Sequence, residues 1–178
     1  MTETTAEELT IARAARGDQR SFEQLYRAYA ARVHGLCLRM TRSITMAEDC
    51  TQMAFIHAWK ALPRFERRSA FGTWLHRIAV NVVLDQRRSK RNDAPAPFPD
   101  EQVEQDFIFD TPMEVADIEA AIDSLPDGAR DVLILSGIYG YSHTETARML
   151  GVAEGTCKAQ LHRARLRLRE HLDLEATS

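Results

Sequence analysis

Apolar side chains recur at steps of three and four residues along both halves of the chain, which is the spacing of one face of an α-helix. In the first half this pattern predicts four helices, which we expect to begin near residues 5, 19, 45 and 69. The first is preceded by Thr5 with Glu8 three residues later, which is a capping-box sequence. No alternating strand pattern interrupts these helices, so the first half is predicted to be all-α.

The predicted third helix has two different apolar faces. One face carries small side chains that let a neighbouring helix approach closely, namely Cys50, Ala54, Ala58 and Ala61. The other face is bulky and carries Phe55, Trp59 and Leu62. We therefore expect this helix to pack against more than one partner.

The helical pattern stops between residues 93 and 113, where prolines, acids and a lack of periodicity predict an extended, flexible linker. It resumes with further short helices. One of them opens with a second capping box, Ser142 to Glu145, and Gly151 is placed to end it in a left-handed turn. The chain is therefore predicted to contain two small all-α units joined by an acidic tether.

Charge is distributed in blocks that the formal net charge of −3 conceals. Residues 64–92 carry eight basic and two acidic side chains, whereas residues 93–127 carry eleven acids and no Lys or Arg. Blocks of this kind indicate charged partners more directly than the total does. The basic block favours a polyanion such as nucleic acid.

The last two predicted helices have the pattern of a helix-turn-helix: a short capped helix, a Leu-Gly-Val turn and a longer helix. We expect the junction between them to be filled by Ala147, Leu150, Val152 and Leu161. In such units the N-terminal turns of the second helix meet base edges in the major groove, and Lys158, Gln160 and Arg163 are residue types that read bases. The alternative interpretation is a solvated basic face.

Aromatic and basic side chains alternate in the segment that leads into the fourth predicted helix. Phe65, Phe71 and Trp74 lie among arginines that include Arg67, Arg68 and Arg77. Cations hold phosphates and aromatic faces stack unpaired bases, so this composition is typical of single-stranded nucleic-acid binding. Asn81 lies two turns past Trp74 on the same face. The alternative is that Phe71 and Trp74 belong to the core.

Three segments, in this order, resemble the extracytoplasmic-function (ECF) sigma factors of bacterial RNA polymerase. "AEDCTQMAFIHAWKALPRF" is similar to the helix that binds core polymerase, and "SAFGTWLHRIAVNVVLDQRRSKR" to the element that melts and reads the −10 promoter region. "GYSHTETARMLGVAEGTCKAQLHRARLRLREHL" is similar to the helix-turn-helix that reads the −35 element. The resemblance implies sigma region 2 over residues 9–92, the linker over 93–113 and sigma region 4 over 114–172.

The resemblance also implies roles for individual residues. The helix that docks to the clamp of the largest polymerase subunit would carry Asp49, Gln52, Phe55 and Trp59. The −10 single strand would be captured or supported by Phe65, Arg67, Arg68, Ser69, Phe71, Trp74, Arg77 and Asn81. The −35 duplex would be faced by Thr156, Lys158, Gln160, His162 and Arg163. The acidic linker would occupy a basic path in the polymerase until RNA displaces it.

The implied partners are core RNA polymerase, promoter DNA and an inhibitory anti-sigma factor, commonly membrane-anchored. We expect a cytoplasmic protein with no membrane insertion, because no apolar run approaches the ~20 residues of a spanning helix and the N-terminus lacks a signal-peptide pattern. Three widely spaced cysteines fit buried thiols in a reducing compartment. No cofactor, metal site or catalytic constellation is expected, so the chain is predicted not to be an enzyme.

This sequence departs from the usual family pattern at four places: Met53, Ala153, Cys157 and the pair Ala159-Gln160. The last change touches predicted base-reading positions, so the −35 sequence does not transfer from the family. Two other functions stay open from the residues alone. A conventional helix-turn-helix regulator would bind duplex DNA without a sigma-type polymerase contact, and a helical interaction protein would show no dependence on DNA.

Overall fold

The computed structural model describes the backbone of residues 5–90 and 115–175 and the side chains of residues 5–90 and 119–171. The chain divides into two compact units at Asn92 and Asp93, called unit 1 and unit 2. Throughout the described ranges the regular structure is helical with no strand, which confirms the predicted all-α class. The predicted linker of residues 93–113, with the hypothesis on its acidic side chains, lies outside the described residues.

Unit 1 contains four α-helices. They are α1 (Ala6–Ala15), α2 (Gln19–Thr41), α3 (Ile44–Ala61) and α4 (Phe71–Lys90), with a short 3-10 turn at Leu62–Arg64. Each helix begins within two residues of its predicted start. Pro63 lies in the 3-10 turn, where its fixed φ is tolerated at the first positions of a helical segment. A loop of residues 65–70 connects this turn to α4.

Side-chain caps set the starts of the first three helices. The Thr5 hydroxyl accepts from the Glu8 backbone N–H at 3.3 Å, and the Glu8 carboxylate accepts from the Thr5 N–H at 2.9 Å, which confirms the predicted capping box. Asp18 and Ser43 cap α2 and α3 through their side-chain oxygens. Such caps satisfy N–H groups that a helix start leaves without an intrahelical partner.

The core of unit 1 forms where α3 packs against both α2 and α4. Three members of the predicted small-residue face, Cys50, Ala54 and Ala58, are fully buried, whereas its fourth member, Ala61, is half-buried. The largest fully buried side chains around them are Val33, Leu36, Met40, Leu62, Leu75, Val80 and Val83. Tyr26 follows the apolar periodicity of α2, yet it is 42% exposed. The aromatic end of that apolar face therefore extends beyond the core.

Unit 2 contains α5 (Val115–Asp123), α6 (Asp127–Val132), α7 (His143–Leu150) and α8 (Glu154–Glu175). Between α6 and α7 the helix continues as a π-helical segment, Leu133–Ile138. The Tyr139 N–H donates to the Ile134 carbonyl at 3.0 Å, five residues back. The sequence predicted a helix here but not its wider winding.

The α7–α8 pair forms the predicted helix-turn-helix. Ser142 and Glu145 make a reciprocal capping box, and Gly151 ends α7 with φ +68°, a left-handed conformation that glycine adopts without penalty. The expected junction residues belong to the unit 2 core or pack against it, together with Cys157, Ala164 and Leu168 on α8. The orientation of α8 is therefore fixed by burial of one face.

All three cysteines are buried free thiols. Burial raises the pKa of Cys37 to about 12 and that of Cys157 to about 11, and it also raises the pKa of Cys50. Over the described ranges, no helix combines the length and apolar character needed to cross a bilayer. Nor does the described part of the chain gather three His, Cys, Asp or Glu side chains into a group that could hold a metal ion.

Candidate nucleic-acid and protein interfaces

An apolar groove of about 460 Å³ runs between α2 and α3 on the surface of unit 1. It is called the aromatic groove here and is lined by Gln19, Phe22, Tyr26, Gln52, Phe55, Ile56 and Trp59. Two of these lining residues, Gln19 and Gln52, are polar, and the other five are apolar or aromatic. Concave surfaces of this size that are lined mainly by apolar and aromatic side chains with a few polar groups are typical of binding sites.

Aromatic contacts give the groove its shape. The Phe22 and Trp59 rings lie 4.8 Å apart and the Tyr26 and Phe55 rings 4.7 Å apart, both edge to face. Edge-to-face packing of this kind is favourable beyond the area it buries. Tyr26 and Ile56 nevertheless remain 42% and 46% exposed. The groove is thus a preformed surface that still leaves apolar area in contact with water.

Three of the four residues implied in polymerase docking line this groove. Phe55 is 4% exposed and supports the groove from below, whereas Trp59 is half-buried and Gln52 is exposed. Asp49 does not line the groove but is exposed one helical turn before Gln52. Phe22, Tyr26 and Ile56 also line the groove. The resemblance did not point to them, and Phe22 and Tyr26 follow the apolar periodicity of α2, which is typical of core positions.

A second, smaller cavity of about 300 Å³ adjoins the aromatic groove, since Tyr26 and Gln52 line both. Its remaining lining residues are Ala30, Ala31, His34, Glu48 and Thr51. This cavity is more polar than the groove because it contains an imidazole, a carboxylate and a hydroxyl. A partner lying along the groove would therefore meet hydrogen-bonding groups at the end nearer the start of α3.

The predicted −10 residues come together around the loop of residues 65–70 and the first turns of α4. Phe65 and Trp74 have ring centroids 4.8 Å apart with planes tilted by 38°, and Phe71 lies 6.0 Å from Phe65 and 5.6 Å from Trp74. Tyr29 of α2 packs edge to face on Phe71 at 5.2 Å. These four rings are called the loop cluster.

The members of the loop cluster differ in burial. Phe71 is 5% exposed and belongs to the core, so the core interpretation is confirmed for this ring. Phe65 and Trp74 are half-buried and keep surface available to a ligand. Trp74 therefore does both: it packs on Phe71 and reaches solvent.

The polar residues near the loop cluster are mostly at the surface. Arg67 and Arg68 are exposed, Ser69 and Arg77 are half-buried, and Asn81 is exposed on α4. Arg68 pairs with Glu66 at 2.6 Å in a solvent-exposed ion pair. Exposed pairs of this kind contribute little to stability, so the Arg68 guanidinium can exchange its partner for a phosphate.

The predicted −35 residues on α8 do not all face solvent. Lys158 is exposed, and Thr156, His162 and Arg163 are half-buried. Gln160 is 9% exposed, because it lies four residues before the buried Ala164 and shares its side of the helix. Gln160 would have to change its side-chain conformation to reach a base edge, so its role at the −35 element stays a prediction.

Glu154 has a role that the sequence did not reveal. One carboxylate oxygen accepts from the Thr144 hydroxyl of α7 at 2.9 Å, and the other lies 3.5 Å from the Lys158 ammonium on α8. The Thr144 hydrogen bond, followed by the interactions with Lys158, lowers the pKa of Glu154. This carboxylate therefore bridges the two helices and partly neutralises a predicted DNA-contacting cation.

Comparison with known families agrees with the two-unit architecture. The model of "Sigma-70 region 2" matches residues 25–92, and that of "Sigma-70, region 4" matches residues 116–168. The first match contains the loop of residues 65–70 and all residues lining the aromatic groove except Gln19 and Phe22. The second match contains the helix-turn-helix.

Individual relatives agree as well. The chain is 36% identical over 152 residues to the ECF RNA polymerase sigma factor SigM of Mycobacterium tuberculosis, covering 85% of this chain and 77% of SigM. It is 31% identical over 177 residues to SigW of Bacillus subtilis, covering 88% of this chain and 91% of SigW. Among solved structures, the sigma factor RpoE in complex with the anti-sigma factor NepR from Bartonella quintana matches with a TM-score of 0.64, 26% identity and coverage of 86% and 98%. The chain belongs to the ECF sigma factors of the sigma-70 family.

Proposed function

We propose that this chain is an alternative sigma factor that binds core RNA polymerase, directs it to promoters and takes part in opening them. The observation that carries this proposal is that unit 1 holds two separate aromatic surfaces, the aromatic groove and the loop cluster. If the chain were a conventional helix-turn-helix regulator, unit 2 would bind DNA, but neither aromatic surface of unit 1 would have a function.

The aromatic groove is the proposed docking surface for core polymerase. Trp59 and Gln52 line it and Phe55 supports it, and Asp49 supplies a carboxylate one turn along α3. Partly exposed aromatic side chains are frequent energetic centres of protein interfaces. Met53, which differs from the usual family pattern, is 37% exposed on the same helix but does not line the groove.

The loop cluster and its arginines form the proposed −10 site. An unpaired base can stack on the exposed part of Phe65 or Trp74, whose rings are already held 4.8 Å apart. Arg67 and Arg68 are exposed in the loop for phosphate contacts, with Ser69, Arg77 and Asn81 nearby. The fixed Phe71 supports the site from the core.

The N-terminal half of α8 is the proposed −35 reader. Lys158, His162 and Arg163 reach the side of the helix away from the unit 2 core, which is the side that a major groove can accept. Thr156 lies at the border of this face. The proposed domain boundaries are those of the sequence: residues 9–92 for region 2 and 114–172 for region 4.

An anti-sigma protein is the proposed inhibitory partner, because the similar RpoE was solved in complex with the anti-sigma factor NepR. If that partner is membrane-anchored, it holds the chain at the membrane without any spanning segment in the chain itself. In the proposed assembly the polymerase performs the chemistry, and this chain supplies positioning and promoter recognition.

The test is co-elution of the full chain with bacterial core polymerase on a sizing column. Asp49→Ala, Gln52→Ala and Trp59→Ala should weaken the complex, and Trp59→Ala should do so most, by about 2 kcal/mol or roughly 30-fold in Kd. Gln24→Ala is the matched control, since Gln24 is exposed on α2 and does not line the groove. Tight binding to duplex DNA without any co-elution would contradict the proposal and favour a conventional regulator.

A further inference from the structure

The N-terminal helix α1 lies against the loop that carries the proposed −10 site. Residues 6–15 fall outside the segment matched by the region 2 family model, which begins at residue 25. We propose that α1 sets the conformation of the loop of residues 65–70, and that Glu7 and Tyr29 are positioning residues for capture of a −10 base. This inference rests on the proposed function of the loop cluster.

The first contact joins α1 to the loop directly. An Nη atom of Arg67 donates to the main-chain carbonyl of Glu8 at 3.3 Å, across 59 residues of sequence. Arg67 has φ +55°, a left-handed conformation that carries a penalty for a residue with a Cβ. The loop therefore adopts this shape because neighbouring contacts hold it, and the α1 carbonyl is one of those contacts.

The second contact reaches the loop cluster through α2. The Tyr29 hydroxyl donates to the Glu7 carboxylate on the first turn of α1. The Tyr29 ring packs on Phe71 and lies so close to Gly72 that a Cβ there would be 3.1 Å from the ring. Glycine at residue 72 thus permits an approach that places Tyr29 against the start of α4.

These contacts form a continuous series from α1 to the surface that would meet DNA. Glu7 fixes the tip of Tyr29, Tyr29 fixes the side of Phe71, and Phe71 contacts both Phe65 and Trp74. A shift of the Tyr29 ring would change the position of the two half-buried rings on which a base can stack.

Helix α1 is itself fixed at both its start and its buried face. Ile11 and Ala14 are 7% and 2% exposed and anchor the helix against the rest of unit 1. The Glu8 carboxylate accepts a hydrogen bond from the Thr5 N–H in the capping box. The main-chain carbonyl of Glu8, which accepts from Arg67, therefore lies in a regular helical turn. A capped and anchored helix is a suitable support for a loop whose shape depends on it.

The variants Glu7→Gln and Tyr29→Phe test the proposal with small changes. Tyr29→Phe removes the hydroxyl and keeps the ring, and Glu7→Gln weakens the same hydrogen bond from the other side. The matched control is Glu23→Gln, which changes an exposed carboxylate of unit 1 that pairs with Arg27 at 2.6 Å and has no contact with the loop cluster. All variants are assayed in the holoenzyme with core polymerase.

The probe is a promoter fragment identified by run-off transcription of genomic DNA with the wild-type holoenzyme. It is prepared in four versions, each with a different base at the promoter position where substitution changes the opening rate most. Opening is followed by permanganate reactivity of unpaired thymines. Selectivity is the ratio of opening rates for the preferred base and its alternatives. We expect Glu7→Gln and Tyr29→Phe to lower this ratio about fivefold, the scale of one net hydrogen bond, with co-elution unchanged.

A loss of folding would lower opening for every base equally, so an unchanged ratio with lower rates overturns the proposal. An unchanged ratio with unchanged rates overturns it too. Trp74→Ala separates this failure from failure of the −10 site itself. If Trp74→Ala abolishes selective opening and the two α1-linked variants match Glu23→Gln, the −10 site stands and the role of α1 is wrong. If Trp74→Ala also has no effect, the proposed function of the loop cluster is wrong.

Discussion

Replacing Glu154 with Gln should strengthen non-specific DNA binding by unit 2 and make that binding more dependent on salt. The carboxylate lies 3.5 Å from the Lys158 ammonium on the helix proposed to read the −35 element. Gln is nearly isosteric and its side-chain oxygen can still accept from the Thr144 hydroxyl. The change therefore removes the charge and leaves the contact between α7 and α8 in place.

The magnitude follows from counterion release. Each phosphate neutralised by a protein cation steepens the logarithmic salt dependence of binding by about 0.9. If Lys158 gains one full phosphate contact when Glu154 is neutralised, the chain should lose about threefold more affinity between roughly 50 and 200 mM salt than the wild type does. At about 50 mM salt the variant should bind the duplex more tightly than the wild type by a similar factor.

The assay is fluorescence anisotropy of a labelled duplex without promoter sequence, titrated with the full chain at a series of NaCl concentrations. Glu170→Gln is the control, because Glu170 is an exposed acid further along the same helix. A double variant with Lys158→Gln isolates the pair, since the effect of Glu154→Gln should vanish in that background. The reasoning fails if Glu154→Gln and Glu170→Gln have equal effects, or if the effect persists without Lys158.

Three further predictions concern stability. Ser142→Ala should lower the unfolding free energy of unit 2 by about 1 kcal/mol in urea titrations through loss of the capping box, whereas Ser142→Thr should not. Burial, followed by the charge of Arg32, lowers the pKa of His76 to about 4. The imidazole of the unfolded chain titrates near pH 6.5, so between about pH 4 and pH 6.5 the unfolded chain binds one proton more than the folded chain. Stability should therefore fall as the pH drops from about 6.5 to about 4, by up to about 3 kcal/mol, and urea titrations of His76→Gln should not show that fall. Arg130 is 3% exposed, donates to the Leu125 carbonyl at 2.9 Å and pairs with Asp127 at 2.5 Å. Arg130→Ala should therefore cost about 3 kcal/mol by the same measurement, and a loss below about 1 kcal/mol would contradict the structural role.

The helix boundaries were predictable because their signals are local. Thr5, Ser142 and Gly151 act on residues within one helical turn, so the sequence alone contains both partners of each contact. The buried stripe of α3 was predictable for a similar reason, since residue size and spacing on one helix indicate how closely another helix can approach. The π-helical winding of Leu133–Ile138 was not, because six residues are too few to separate its period from that of an α-helix.

The interfaces were less predictable because they depend on which helices meet. Gln160 was selected for its hydrogen-bonding type, but its burial is decided by the face that α8 turns to the unit 2 core. Phe22 and Tyr26 fit the apolar periodicity of α2, and only the position of α3 makes them walls of a groove. Glu154 and Thr144 are ten residues apart on different helices, so no spacing rule joins them.

The burial of all three cysteines has a practical consequence for labelling chemistry. Thiolates react with maleimides and iodoacetamide far faster than protonated thiols do, so the three buried native thiols should react with these reagents only slowly while the chain is folded. A cysteine introduced at an exposed position such as Met53 would then be modified selectively, without removal of Cys37, Cys50 or Cys157. A dye placed there would lie on the helix that borders the aromatic groove, and its signal would change when a partner covers the groove. Separately, the rate at which the native thiols react would measure the rate at which each unit opens.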